Sequence, residues 1–305
     1  MSHYFTHTWQ SIISDTDGEA KERHHELWHD LVPRLALTYP FLLHALLAVS
    51  AVHLALTTPM SSTIPSALDS MANLARHHHA QSLPLMRKAL SSPIDNVVIQ
   101  PLFVCSVFIS MYAFAYSLIQ GARTRLDPLE EFSYGLTMLH GISAVVHSDP
   151  RLLLDTPFKV MLIPNPSDPD APLSPATEGY LAALRAANAR MTWPGGREEA
   201  EAYEYMIGIL RYTFLLHRET PGRVMTIIPF ATKLPDPVLS AIREQQPLAL
   251  CLVAGYATVL YSLKRNMWIQ GWGGRVMEAV ERKLEGTEWE EVIAWPLRVV
   301  SKDSP

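Results

Sequence analysis

The chain has 305 residues, of which 48% are hydrophobic and 18% are charged, and its formal net charge is −5. This composition supports a sizeable hydrophobic core but no strongly basic surface, so we expect no nucleic-acid partner. The two cysteines exclude a Zn₂Cys₆ DNA-binding cluster within this chain, and their apolar neighbours favour reduced core thiols over a disulfide or a nucleophile.

The N-terminal sequence MSHYFTHTWQ has no basic flank followed by an apolar core, so it does not resemble a secretory signal. The most apolar stretch, Phe41 to Thr57, is interrupted by His44, Ser50 and His53. It is also short beside the roughly 20 apolar residues of a membrane span. We therefore expect a cytoplasmic protein without a membrane span.

Helical spacing of apolar residues dominates the first half of the chain. Leu27, Leu31 and Leu35 recur at helical intervals with charged residues between them. Pro40 then begins a segment that is apolar almost all round, which is typical of a helix buried inside a bundle. The helices predicted in this half are 22–38, 41–56, 67–90 and 97–119.

The second half opens with a helix-start signal. Asp127 fits the N-cap, Pro128 the first helical position and Glu130 the third, as in a capping box. Clustered prolines predict a surface loop at 157–175. Strand signals are scarce, so we predict an all-α protein, a single-domain helical bundle over 1–305. The helices predicted in this half are 126–146, 177–192, 198–217, 239–267 (with a break favoured at Gln246–Pro247) and 274–284.

Three stretches of the sequence carry a family resemblance when they are taken together. They are HDLVPRLALTYPFLLHALLAVSAVHLA at 29–55, LDPLEEF with LHGI at 126–142, and the region from PLAL at 247–250 through WIQGWG at 268–273 to AWP at 294–296. In this order they resemble the effector domain of fungal zinc-cluster transcription factors, including the sterol-uptake regulators of yeasts. The resemblance implies an all-α fold with an apolar ligand cavity.

The sequence also departs from that family. The zinc cluster is absent, and Met267–Trp268 stands where the family often has paired tryptophans. Met1 lies almost directly before the effector-like region, so we expect the cavity itself, rather than DNA recognition, to be the function.

The chain is also similar to the atypical fungal α-humulene synthases, which lack the zinc cluster as well. That resemblance implies a sesquiterpene cyclase, a carbon–oxygen lyase that ionises farnesyl diphosphate with Mg²⁺. It further implies a lysine on a late helix that holds the diphosphate. Lys264 in the segment LYSLK matches this position, and Leu260, one turn earlier, would border the prenyl chain.

Ionising a prenyl diphosphate requires Mg²⁺ and cationic side chains around the leaving group. Asp127 and Glu131 are candidate metal ligands, and Arg125 is a candidate diphosphate contact. The alternative is a capped helix start with solvated charges, which explains Asp127 and Glu130 but leaves Glu131 unexplained.

An aromatic stripe at 203–214 contains further candidates. Glu204 is a candidate metal ligand, and Arg211 and Tyr212 are candidate substrate contacts. Glu204 and Arg211 are spaced to share one helix face, so the alternative is a half-buried ion pair between them.

Two groups of histidines contain the residue type that most often binds metal ions. The run His77 to His79 points in different directions around a helix and cannot converge on one ion. The segment from His25 to His29 matches H-E-x-x-H, a zinc motif in which Glu26 would act as the base. We find no third ligand near it in the sequence, and it falls in a helix that the family resemblance already explains.

Two functions therefore stay open. The main hypothesis is a humulene-type terpene cyclase in which Lys264 holds diphosphate and acidic residues hold Mg²⁺. The alternative is a regulatory module that binds a sterol-like or other hydrophobic ligand and has no DNA-binding domain.

Overall fold

The computed structural model describes residues 1–12, 19–58, 65–120, 127–148, 150–161 and 165–301. These ranges are mainly helical and contain no β-strand, which confirms the all-α prediction. Two compact units can be distinguished, Met1–Thr124 with Gly141–Leu162, and Arg125–His140 with Ile163–Pro305. The single domain over 1–305 stays a prediction.

The helices have the following bounds. The α-helices are α1 (Trp9–Ile12), α2 (Glu19–His25), α3 (Val32–Thr38), α4 (Pro40–Thr57), α5 (Pro65–Leu90), α6 (Ile99–Gln120), α7 (Pro128–Ser148), α8 (Pro150–Leu154), α9 (Pro175–Arg190), α10 (Gly196–Glu219), α11 (Ile228–Thr232), α12 (Asp236–Arg243), α13 (Pro247–Ser262), α14 (Trp272–Leu284) and α15 (Glu290–Ser301). Tyr4–Thr8 and Glu26–Leu31 are π-helical, and Pro157–Met161 and Val224–Ile227 are 3₁₀-helical.

The central helix of the first unit is α4. Tyr39 is extended and Pro40 stands in the first turn, a position where its fixed φ and missing N–H cost nothing. Apolar side chains surround α4, so both α5 and α6 pack against it. The hydroxyl of Ser82 on α5 donates to the carbonyl of Phe41 over 2.8 Å, which satisfies a polar group inside this core.

Two helices of the first unit are long and apolar enough to cross a membrane, Pro40–Thr57 and Ile99–Ile119. Of these windows, 61% and 67% respectively are buried inside the protein, as in the core helices of a water-soluble fold. Length and composition alone are therefore weak evidence for a membrane span. The absence of a membrane span stays a prediction.

Both cysteines are free and buried, as the sequence predicts. Cys105 lies on α6 in the first unit, and Cys251 lies on α13 in the second. Burial raises the pKa of each thiol to about 12. Both therefore stay protonated near neutral pH, which fits core residues and not nucleophiles.

The second unit is arranged around α13. Every residue from Leu248 to Leu260 is buried, and α9, α10, α12, α14 and α15 all pack against this helix. The favoured break before α13 is confirmed, because α12 ends at Arg243 and Gln245 adopts a left-handed φ of 57°. The backbone N–H of Gln246 then bonds to the carbonyl of Ala241, which closes the end of α12.

Helix α14 crosses α13 at a glycine. A Cβ at Gly273 would lie 2.4 Å from the backbone nitrogen of Tyr261, a distance that only a backbone shift relieves. The neighbouring Gly274 has no atom within 4 Å of the same position. Gly273 therefore sets how closely the two helices approach.

We expect Gly273→Ala to lower the free energy of unfolding by about 1–3 kcal/mol or more, because the methyl group overlaps backbone. Gly274→Ala is the matched control. It should be neutral or stabilising by up to about 1 kcal/mol, because alanine favours the helix. Urea unfolding followed by circular dichroism measures both. Equal midpoints for the two variants would contradict this packing.

Candidate functional site

The acidic side chains at the start of α7 form bonds to other groups of the protein. Asp127 Oδ1 accepts the backbone N–H of Leu129 over 3.0 Å, and Asp127 Oδ2 accepts the side-chain amide of Gln245 over 2.6 Å. Asp127 is therefore a helix cap that also fixes the turn before α13.

Glu131, which capping left unexplained, has a structural partner. Its Oε2 lies 2.7 Å from Arg275 on α14, and only 8% of the Glu131 side chain is exposed. Arg275 also lies over the ring of Trp272, 4.8 Å from its centre. The pair fastens α7 to α14, and the separation of 144 positions along the chain hides it from sequence analysis.

Glu204 and Arg211 pair with α9 and not with each other, so the predicted ion pair between them is wrong. Glu204 bonds to Arg185 over 2.8 Å, and Arg211 bonds to Glu178 over 3.3 Å. Within each helix the two charged residues are about two turns apart, so both bridges fit one antiparallel register of α9 and α10. Helix spacing shows which residues share a face but not which helix lies opposite.

Arg211 also anchors the proline-rich segment. Its guanidinium donates to the carbonyls of Pro169 and Ala171 over 2.6 and 2.8 Å. Residues 165–174 form no helix, as predicted for this part of the loop, whereas Pro157–Met161 is a 3₁₀ turn.

Other residues of α10 hold the same segment. The hydroxyl of Tyr212 donates to Asn165 over 3.2 Å, and Arg218 donates to the carbonyl of Pro172 over 2.6 Å. Two of the candidate substrate contacts, Arg211 and Tyr212, therefore have structural partners in the loop.

The proposed diphosphate lysine lies outside a helix. α13 ends at Ser262, and the exposed Lys264 follows in a turn with its Nζ 4.9 Å from the ring centre of Tyr261. Leu260 is 1% exposed. Lys264 and Leu260 therefore do not share a helix face as the sequence suggested. Arg125 lies outside the described residues.

The predicted Mg²⁺ ligands do not assemble. Asp127, Glu131 and Glu204 each bond to a different protein group, and among the described residues they do not form a cluster with converging ligand atoms. They do not fit a shared Mg²⁺ ion, so Mg²⁺ stays a prediction of the cyclase hypothesis alone.

The two histidine motifs differ in how their side chains are arranged. His77 is exposed, His78 Nδ1 lies 2.9 Å from His44 Nδ1, and His79 stacks on Tyr112 at 3.9 Å, so the run diverges as helix geometry predicts. His25 and His29 stack at 4.6 Å.

Sequence analysis missed a polar cluster where α9 meets α10, which consists of the buried Asn188 and Tyr203 and the half-buried Trp193. The rings of Trp193 and Tyr203 stack at 4.4 Å, and the Trp193 indole N–H donates to the Asn188 carbonyl over 3.2 Å. The Asn188 side-chain amide donates to the carbonyl of Ala200 over 2.9 Å.

Two atoms of this Asn188–Tyr203 cluster are buried without a hydrogen-bond partner in the part of the chain that the structure describes. They are Tyr203 Oη and Asn188 Oδ1. Tyr203 is 0% exposed, and burial raises its pKa, so its hydroxyl keeps the proton and can donate. Buried polar groups in native proteins nearly always have a partner, so each of these two atoms keeps a hydrogen-bonding capacity that the described residues do not use.

Arg211 gives a test of the loop anchoring. We expect Arg211→Ala to speed proteolytic cleavage within 165–174 several-fold and to lower the unfolding free energy by about 1–2 kcal/mol, because three hydrogen bonds are lost. The control is Arg197→Ala, which removes an exposed ion pair with Glu201 on the same helix and should change little. Mass spectrometry of timed digests locates the cleavage. Unaltered cleavage in the Arg211 variant would show that other contacts hold the loop.

Comparison with known proteins follows the resemblance seen in the sequence. Residues 1–125 match the family model of the fungal specific transcription factor domain. Over 95 residues the chain is 37% identical to Sterol uptake control protein 2 of Saccharomyces cerevisiae, a match that covers 31% of this chain and 9% of that protein. The matched region thus spans only a small part of that protein's length. The N-terminal part of the chain is therefore similar to this transcription factor domain.

Proposed function

We propose that this chain is a regulatory module that binds a sterol-like ligand, an apolar molecule with one hydroxyl group. The observation that carries the proposal is the match of residues 1–125 to a fungal transcription factor domain. The similarity to a protein named for control of sterol uptake supports a sterol as the ligand class.

The Asn188–Tyr203 cluster is the proposed site for the ligand hydroxyl. A hydroxyl group both donates and accepts hydrogen bonds. One such group would accept a hydrogen bond from Tyr203 Oη and donate one to Asn188 Oδ1. A ketone only accepts, so it would leave Asn188 Oδ1 without a partner. The chemistry of the two atoms therefore favours an alcohol.

The neighbouring side chains suit an apolar ligand body. Met206, Ile207 and Leu210 follow Tyr203 along α10 and are each 0% exposed. These side chains are already covered by protein, so a ligand body would displace part of this packing, and a diphosphate placed there would also lose its hydration without an ionic partner. This contrast favours a neutral ligand at the cluster.

The cyclase hypothesis stays a prediction. Its acidic residues Asp127, Glu131 and Glu204 have partners that fasten helices together. Its lysine, Lys264, lies in an exposed turn.

Tyr203→Phe tests the proposed site. Titration with dehydroergosterol, a fluorescent sterol, should give saturable energy transfer from tryptophan in the unaltered chain. The variant should bind about tenfold more weakly, because one buried hydrogen bond is worth about 1 kcal/mol or slightly more. Without sterol the variant should be at least as stable as the unaltered chain, because the removed hydroxyl had no partner to lose.

Tyr205→Phe is the matched control, since Tyr205 lies on the same helix and is 48% exposed. Its affinity should not change. Equal affinity for the Tyr203 variant would refute the site. Absence of sterol binding, together with a Mg²⁺-dependent hydrocarbon made from farnesyl diphosphate, would replace the regulatory proposal with the cyclase.

A further inference from the structure

The H-E-x-x-H segment leaves regular α-helical geometry where its second histidine lies. α2 ends at His25, and the π-helix Glu26–Leu31 follows, in which the N–H of Val32 bonds to the carbonyl of Leu27, five residues back. In an α-helix, with about 100° of rotation per residue, Asp30 would lie about 140° around the axis from His25. The wider π turn brings Asp30 back towards His25.

As a result, three metal-binding side chains converge. One ligand atom from each of His25, His29 and Asp30 lies within 4.8 Å of the other two. His29 Nδ1 and Asp30 Oδ1 are 2.6 Å apart. Ligand atoms around a tetrahedral Zn²⁺ are about 3.4 Å apart, given metal–ligand distances near 2.1 Å. Small side-chain rotations are therefore enough to enclose an ion.

We propose that His25, His29 and Asp30 bind a divalent transition-metal ion of the Zn²⁺ type. Two imidazoles and a carboxylate suit Zn²⁺ and Co²⁺ better than Mg²⁺ or Ca²⁺, which prefer oxygen ligands. An ion can reach the site from solvent, because the side chains of His29 and Asp30 are 33% and 50% exposed. The three protein ligands leave a fourth position for water.

The proposed site also contacts the N-terminal segment. The ring of Trp9 on α1 meets His25 and His29 edge-on at 4.7 and 5.2 Å. The hydroxyl of Tyr4 donates to the carbonyl of Trp28 over 2.7 Å. An ion that fixes the two histidines also fixes the surface on which Trp9 packs. Metal binding thus stabilises the attachment of this segment, independently of sterol binding.

The test uses the full chain, freed of metal, and titrates it with Zn²⁺ by calorimetry and with Co²⁺ by visible absorption. The unaltered chain should bind one equivalent, and Co²⁺ should quench part of the tryptophan fluorescence because Trp9 adjoins the site. His25→Gln and His29→Gln should each weaken binding by about tenfold or more, and Asp30→Asn should do so to a similar extent.

His77→Gln is the control, an exposed histidine on α5 outside the site, and it should keep full affinity. Trp9→Phe should keep the affinity but lose the Co²⁺-dependent quenching that comes from Trp9. Circular dichroism of the metal-free variants verifies that they fold alike. Undiminished Zn²⁺ affinity in the His25 and His29 variants, or no binding by the unaltered chain, would overturn the proposal.

Discussion

The second unit depends on the burial of α13 from Leu248 to Leu260. A helix that is apolar on every side is stable in water only when other helices cover it all round. Such coverage requires close approach, and two glycines allow it. A Cβ at Gly255 would lie 2.7 Å from the ring of Tyr180, and one at Gly273 would meet the backbone of Tyr261. The Tyr180 hydroxyl donates to the carbonyl of Cys251, which fixes α9 against the same helix.

The core helices carry almost no charged residues, so ion pairs form on the other helices. The cross-helix bridges of Glu204 and Arg211 set the register of α9 against α10, and Arg211 then holds the proline-rich segment by its carbonyls. Glu131 fastens α7 to α14 in the same way. Several charged residues that look like catalytic candidates in the sequence therefore bind other parts of the protein, as Asp127, Glu131, Glu204 and Arg211 do.

Local signals predicted much of the fold. Pro40 and Pro247 mark helix starts, and Asp127 caps α7, because these effects depend only on nearby backbone. Features that need three-dimensional information were missed. Tyr203 is exceptional only because its hydroxyl is buried without a partner among the described residues. Asp30 joins the two histidines only through a π-helical turn, whereas α-helical spacing separates them.

Binding of a sterol-like ligand where α9 meets α10 is the proposed function, and hydrogen–deuterium exchange of the full chain with and without dehydroergosterol detects such binding segment by segment. Backbone amides at helix ends open readily, so an added hydrogen-bond partner there slows their exchange. We expect slower exchange in the last turn of α9, in the residues around Trp193 and in the first turns of α10. Unchanged exchange in these segments at saturating sterol, or slowing confined to other helices, would contradict it.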